Sequence, residues 1–384
     1  MNDRERTLAA LNYEPYDRLP VVHFGFWRDT LDAWAAEGHL TDSEARHWGD
    51  GNPTDAAISG KLGFDFNYYS VMHPHTHLRP GFERKVIEEL PDGSKHVVNG
   101  DGVVVLEKAG AVGIPPEIDH LLKGRKEWEA HYKHRLEFCR ERLTEARVMV
   151  DGEAVRFDEG GLDFLRRDER DHWYGLFCGS LFGRIRDIVG VTGATYIYAE
   201  DEVLFDEMIE TLGTLCYECT KAALDSGAKF DFAHFWEDIC FKNGPLVSPV
   251  VFEEKVGPHY RRITELVNSH GINIVSLDCD GKIDALIPTW LGNGVNTMFP
   301  IEVGTWGASI APWREQYGHE LRGVGGMDKR VFACDCAAVE AEIERLRPLV
   351  ELGGYIPCPD HRIAPDARWD NVRCYCDRMH EVFG

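Results

Sequence analysis

No apolar run in this chain approaches the ~20 residues that a helix needs to cross a bilayer, so a membrane-spanning protein is not expected. No G-x-G-x-x-G follows a candidate strand, which removes the usual sign of a dinucleotide-binding sheet. The lone Gly179-Ser180-Leu181-Phe182-Gly183 stretch reads as tight strand-to-helix packing rather than a phosphate loop. Positive charge is scarce: Lys plus Arg is 42 against 65 Asp plus Glu, a net charge of −23. That balance argues against nucleic acid or an anionic membrane as the main partner. The start, Met1-Asn2-Asp3-Arg4-Glu5-Arg6, is charged and unlike a signal segment, so a cytoplasmic location is expected. The 11 cysteines are odd in number and lack the spacing of a secreted scaffold, which predicts reduced thiols. The C-x-x-C of Cys216 and Cys219 has no second pair at zinc spacing. Cys334-x-Cys336 and Cys374-x-Cys376 are isolated, and all of these read as plain thiols.

What the chain does contain is repetition. Apolar residues make up 43% of the 384, enough for a sizeable core. From residue 201 onward, short apolar runs alternate with amphipathic stretches, the pattern of a parallel sheet with helices outside it. Over the whole chain this gives about eight strand-helix units, hence an α/β fold, a (β/α)8 TIM barrel in one domain spanning 1–384. An open doubly wound sheet is the alternative. Residues 82–108 differ: apolar and polar residues alternate around Pro91-Asp92-Gly93 and Asn99-Gly100-Asp101-Gly102. These are hairpin signals, and the segment reads as an inserted β-meander that covers the cleft or docks a partner. Residues 128–145 read as one long charged helix.

The chemistry is concentrated where the apolar runs stop. V-S-L-D-C-D-G (275–281) ends in Asp278 and Asp280, two apart and so on one side of an extended segment. Four further runs end in Trp236-Glu237-Asp238, Pro300-Ile301-Glu302, Met327-Asp328-Lys329 and Pro357-Cys358-Pro359-Asp360-His361. Ionisable residues at five strand ends predict a catalytic cleft at the barrel mouth. Asp280 and His361 are the strongest candidates for metal ligation or acid-base work. Asp278 divides between a site role and capping the next helix, and Glu302 between the site and a structural salt bridge. Asp328 and Lys329 read either as a buried ion pair or as catalytic groups, Lys329 as an acid, a Schiff-base amine or an anion binder. Asp238 reads as a supporting group or a cap. Trp236 and Trp306, beside strand ends, are candidates to line a substrate pocket. His73, His75 and His77 alternate as three ligands would, but a polar loop is the simpler reading.

The segments W-E-D-I-C-F-K-N-G-P-L-V-S-P (236–249), D-C-D-G (278–281), G-V-N-x-x-x-P-I-E (294–302), G-G-M-D-K-R (325–330) and G-G-Y-I-P-C-P-D-H-R-I-A-P-D (353–366) resemble the uroporphyrinogen decarboxylase superfamily. Within it they look more like the branch related to corrinoid methyltransferases. The resemblance implies a single barrel with its site at the C-terminal mouth of the strands, and often a homodimer. The decarboxylases' arginine-rich N-terminal segment is absent here; F-G-F-W-R-D keeps only Arg28, a candidate substrate contact. The methyltransferases hold zinc with H-x-C and a later cysteine. The matching positions here are Asp278, Asp280 and His361, so the resemblance implies oxygen-rich ligation by Asp280, His361 and Glu237, suited to Zn²⁺ but also to Mn²⁺ or Fe²⁺. The expected activity is metal-dependent methyl transfer between a small methylated substrate and a corrinoid supplied by a partner protein. The alternative is a metal-free decarboxylase or lyase acting on a carboxylated substrate.

Overall fold

The computed structural model describes residues 1–108, 110 and 113–384. Its centre is a parallel sheet of seven strands, in the order Val71–Met72, Gly175–Gly179, Phe232–Trp236, Val275–Asp278, Thr297–Ile301, Arg322–Met327 and Tyr355–Pro359. Every residue of the 175, 275, 297 and 355 strands is buried, which explains why they read as unbroken apolar runs rather than as alternation. A second parallel pair, Val22–His23 with Phe66–Asn67, stands beside the sheet. An isolated bridge between Phe26 and Ile363 joins the segment after Val22–His23 to the one after Tyr355–Pro359. Two backbone bonds support it, from Ile363 N–H to the Gly25 carbonyl (3.0 Å) and from Trp27 N–H to the Ile363 carbonyl (3.2 Å).

The outer helices start where the sequence has caps. Asn2 accepts from Glu5 N–H while the Glu5 carboxylate accepts from Asn2 N–H, a complete capping box. Asp201 caps Glu202–Asp225 and Asp335 caps Cys336–Val350. Among the described residues, no helix is long and apolar enough to cross a membrane.

Strands Lys85–Glu89, Lys95–Val98 and Val103–Glu107 pair antiparallel, and a fourth strand, Glu117–His120, joins them. Val97, Val103 and Val105 form their own small apolar cluster. An ion pair from Arg184 to Asp101 ties this sheet to the helix Phe182–Glu200. The long helix expected over 128–145 is instead broken into Trp128–Tyr132, Lys133–Leu136 and Glu141–Thr144. Burial explains the break. Trp128 and Tyr132 turn into the core, and the buried Arg142 donates to the carbonyls of His75, His77, Arg135 and Glu137. Those carbonyl contacts also define the 73–77 segment, whose imidazoles do not gather as ligands.

The expectation of reduced thiols fails at one pair. Cys336 and Cys374 form a disulfide, with Cα atoms 6.1 Å apart, that links Cys336–Val350 to Trp369–Phe383. The spacing of either C-x-C motif carried no sign of it, because the partners are 38 residues apart and meet only when the two helices pack.

Candidate active site

The C-terminal ends of the central strands meet at a group of carboxylates. Single oxygens of Asp238, Asp278 and Asp280 lie within 4.8 Å of one another. Asp278 ends its strand in register with Trp236 on the neighbouring strand, so both side chains leave the sheet on the same face. Asp238 enters through a left-handed backbone, φ 48°, a conformation uncommon outside glycine. Its Oδ1 accepts from Asp280 N–H at 3.1 Å, which fixes the two strand ends against each other. The Asp280 Oδ2 is 3.2 Å from Nε2 of His361. The His361 ring stacks on Trp27, centroids 5.4 Å apart, and meets the edge of Phe24 at 5.7 Å. Glu302 stands beside them, accepting from Gly281 N–H at 2.5 Å and from the Thr305 hydroxyl at 2.8 Å.

The electrostatics are those of an underpaired anionic site. Asp278 is 4% exposed, and no donor among the described residues hydrogen-bonds its carboxylate. Burial, then Asp238 and Asp280, push its pKa well above the usual carboxylate range. Burial and Asp280 push Asp238 up to about 6, and burial and Asp280 raise Glu302. The Oδ1 of Asp280 is buried with no partner among the described residues. Arg362 is the nearest compensating cation, but it makes two bonds to Asp50, at 3.1 and 2.7 Å.

Several expected site residues stand elsewhere. Glu237 is fully buried and turned away from the cluster. Its carboxylate accepts from Leu181 N–H (3.0 Å), Gly183 N–H and the Tyr260 hydroxyl (2.5 Å). It pins the 179–183 loop, where a side chain at Gly183 would collide with the Glu237 carbonyl. Asp238, not Glu237 as expected, joins Asp278 and Asp280 at the cluster. Asp328 caps the short helix Lys329–Ala333 and forms a two-point pair with Arg330, 2.8 and 2.6 Å; the pair lowers its pKa. Asp328 and Lys329 do not pair with each other: Lys329 Nζ is 3.8 Å from the buried Asp360. Asp360 in turn accepts from the N–H groups of Val303, Gly304 and Lys329, closing the loops around the mouth. Arg28 lies on the outer helix Arg28–Ala36, donating to the Ala45 carbonyl and facing Asp32, away from the cluster. Trp236, in register with Asp278, does stand beside the cluster, with Arg186 5.6 Å from its ring centre; Trp306 lies under Lys282 at 6.0 Å. Cys279 and Cys358 are buried, and burial pushes their thiols up.

Tyr69 and His234 gave no sequence signal. Tyr69 is near enough to feel the Asp278 charge. His234 lies below it, 5.1 Å ring to ring, with both ring nitrogens buried and unpartnered among the described residues. Neither stands at the end of an apolar run, so the pattern that marked the other residues passes over them.

The same chain fold is seen in a methyltransferase from Methanosarcina mazei, with a TM-score of 0.62 over 100% of both chains at 16% sequence identity. A structure assigned as a vitamin-B12-independent methionine synthase from Listeria monocytogenes overlaps 62% of this chain and 72% of its own at 16% identity, with a TM-score of only 0.37. No curated protein matches the sequence. The uroporphyrinogen decarboxylase (URO-D) family model matches residues 177–382. That span holds Asp238, Asp278, Asp280, Glu302 and His361, and covers more than half of the 384 residues: the chain belongs to the uroporphyrinogen decarboxylase family, in a form whose fold it shares with a methyltransferase.

Proposed function

We propose that this protein is a metal-dependent methyltransferase moving a methyl group between a small methylated substrate and a corrinoid carried by a partner protein. The observation that carries the reading is the buried, donor-free carboxylate of Asp278 gathered with Asp238 and Asp280. Burying such a group uncompensated costs on the order of several kcal/mol, and a divalent cation would remove that cost. Asp238, Asp278, Asp280 and His361 are the residues that would hold it. Three carboxylates and one imidazole suit Zn²⁺, Mn²⁺ or Fe²⁺. When bound, the ion supplies Lewis acidity at the oxygen, sulfur or nitrogen whose methyl bond breaks or forms.

The chain's own residues do the rest. Trp27 and Phe24 hold the His361 ring in one orientation. Glu302 holds Gly281, and Asp238 holds Asp280, so the carboxylates are placed before any ligand arrives. The scaffold in this proposal is a closed (β/α)8 barrel over 1–384, the Phe26–Ile363 bridge marking the seam, with residues 82–108 as an insert beside the mouth.

Metal analysis of the purified protein is the test. About one tightly held divalent ion per chain is expected, retained through desalting and removed by chelator. A protein with no metal as purified, and none gained on addition of Zn²⁺, Mn²⁺ or Fe²⁺, overturns the ligation scheme.

A further inference from the structure

A cavity of about 200 Å³ borders the mouth, and Arg186 belongs to both. Its side chain lines the cavity and donates to the Asp238 carbonyl at 3.1 Å. The carboxylates of the cluster do not line this space. The fold opens it at a kink. Helix Phe182–Glu200 takes a non-helical backbone at Gly190, φ 73° and ψ 164°, which suits glycine. A side chain there would strike the His120 ring, so strand Glu117–His120 packs into the bend from outside. The two arms of the kinked helix, Phe205 of the next helix and the 246–251 segment enclose the space.

The walls are apolar: Phe182, Tyr198, Phe205, Leu246, Val247 and Val251. The Phe205 ring meets Phe182 at 6.1 Å and the edge of Tyr198 at 5.3 Å, forming an aromatic corner. Leu246 N–H donates to the Ile239 carbonyl at 2.7 Å, which ties this wall to the chain beside Asp238. An apolar cavity of ~150 Å³ holds a benzene ring. This one therefore has room for a ring or a branched chain with a short tail.

Among the described residues that line it, Arg186 alone is charged. A guanidinium offers five N–H donors and no acceptor. One group goes to the Asp238 carbonyl, and another faces Asp187 at 3.1 Å, its one ion-pair partner among the described residues. The Arg186 Nε is buried with no partner among them. Burial pushes the Asp187 carboxyl up to about 6, so it is a weaker counter-ion than an exposed carboxylate. Apolar walls with one donor-rich cation match a guest that has an apolar body and a single anionic acceptor.

We infer that this cavity binds a small carboxylic acid with an aromatic or branched apolar body, the body against Phe182, Tyr198 and Phe205 and the carboxylate on Arg186. The site is separate from the carboxylate cluster, and it stands whether or not the cluster holds a metal.

The test is isothermal titration calorimetry of the full chain, as purified and after chelator treatment. The probes are phenylacetate, phenethyl alcohol, phenethylamine and acetate, which vary the charge on one body and then remove the body. Phenylacetate should bind saturably and about tenfold more tightly than phenethyl alcohol, the margin of a charge-assisted hydrogen bond over a neutral one. Acetate and phenethylamine should show no saturable binding. Arg186→Gln should bring phenylacetate down to the alcohol's affinity. Thr195→Phe, at an exposed position on the cavity rim, fills the space and leaves the Arg186 contacts in place, so it serves even if Arg186→Gln fails to fold; it should weaken phenylacetate about tenfold or more. Equal affinity for acid and alcohol, tighter binding of the amine, no saturable binding of phenylacetate, or wild-type affinity in Thr195→Phe overturns the inference. Binding that disappears with chelator treatment puts the acid on the cluster's metal and overturns it too. A metal-free protein that still prefers phenylacetate removes the ligation scheme and keeps this inference.

Discussion

Glu237 and Asp278 are both carboxylates at the ends of neighbouring strands, both buried, and they live in opposite circumstances. Glu237 receives three hydrogen bonds and holds a loop in place. Asp278 receives none among the described residues. Burial raises the pKa of each, Glu237 to about 7 with its three donors pulling back down, Asp278 further with the charge of Arg362 opposing. A buried acid whose partners are supplied by its own chain is part of the scaffold. One whose partners are missing is waiting for something from outside.

The contrast can be broken by four experiments. The largest effect on stability is expected at Glu237. Glu237→Ala strands the Leu181 and Gly183 N–H groups and the Tyr260 hydroxyl, and unsatisfied buried groups cost about 1–3 kcal/mol each, so a loss of several kcal/mol should appear in chemical denaturation. A loss under about 1 kcal/mol would mean that Glu237 is not a scaffold group. At Asp278 the sign reverses. Asp278→Asn removes a charge that nothing in the fold compensates, so apo protein should melt higher than wild type, while affinity for a divalent ion should drop on the order of a hundredfold or more, since changes one shell further out already cost 10–100-fold.

The pH dependence of that gain sharpens the same point. A carboxyl with a raised folded pKa binds more protons folded than unfolded, so its contribution to stability is greatest below the unfolded value and is lost as pH rises. The wild-type protein should therefore fall behind Asp278→Asn toward alkaline pH, and the melting curves should converge near pH 4, the ordinary carboxylate range. A gap independent of pH would sink this account. The smallest effect concerns His234, whose pKa burial lowers to about 3. The unfolded imidazole binds its proton near 6.5, so this group's stabilising contribution is intact above that value and drains away as pH falls toward 3. His234→Phe should blunt acid unfolding in that window and leave the neutral melting temperature within a few degrees of wild type.

The sequence made the strand ends visible because each apolar run stops at an ionisable residue, and Asp278, Asp280, Glu302 and His361, which the fold brings together, were marked that way. Between neighbours it favoured Glu237, whereas Asp238 is the one that reaches the cluster. Adjacent residues on a strand face opposite ways, and the left-handed backbone at Asp238 goes with Asp238, not Glu237, facing the mouth. Asp328 and Lys329 looked the same in sequence as the residues that gather, but local partners, Arg330 and Asp360, take them up. Arg28 was reached through the resemblance, and helix Arg28–Ala36 carries it outward. The 336–374 disulfide and the broken 128–145 helix depend on contacts between distant segments, which no local pattern records.

The left-handed backbone at Asp238 also limits what mutation can do there. At φ 48° only aspartate, asparagine and glycine are tolerated cheaply. The substitutions open to this position form a ladder of charge at constant shape: a carboxylate, an amide of the same size, or no side chain. One of the mouth's four negative charges can thus be switched off by a single-residue change without moving the strand. In the proposed metal site, such a change would lower the charge offered to the ion while the backbone stays in place.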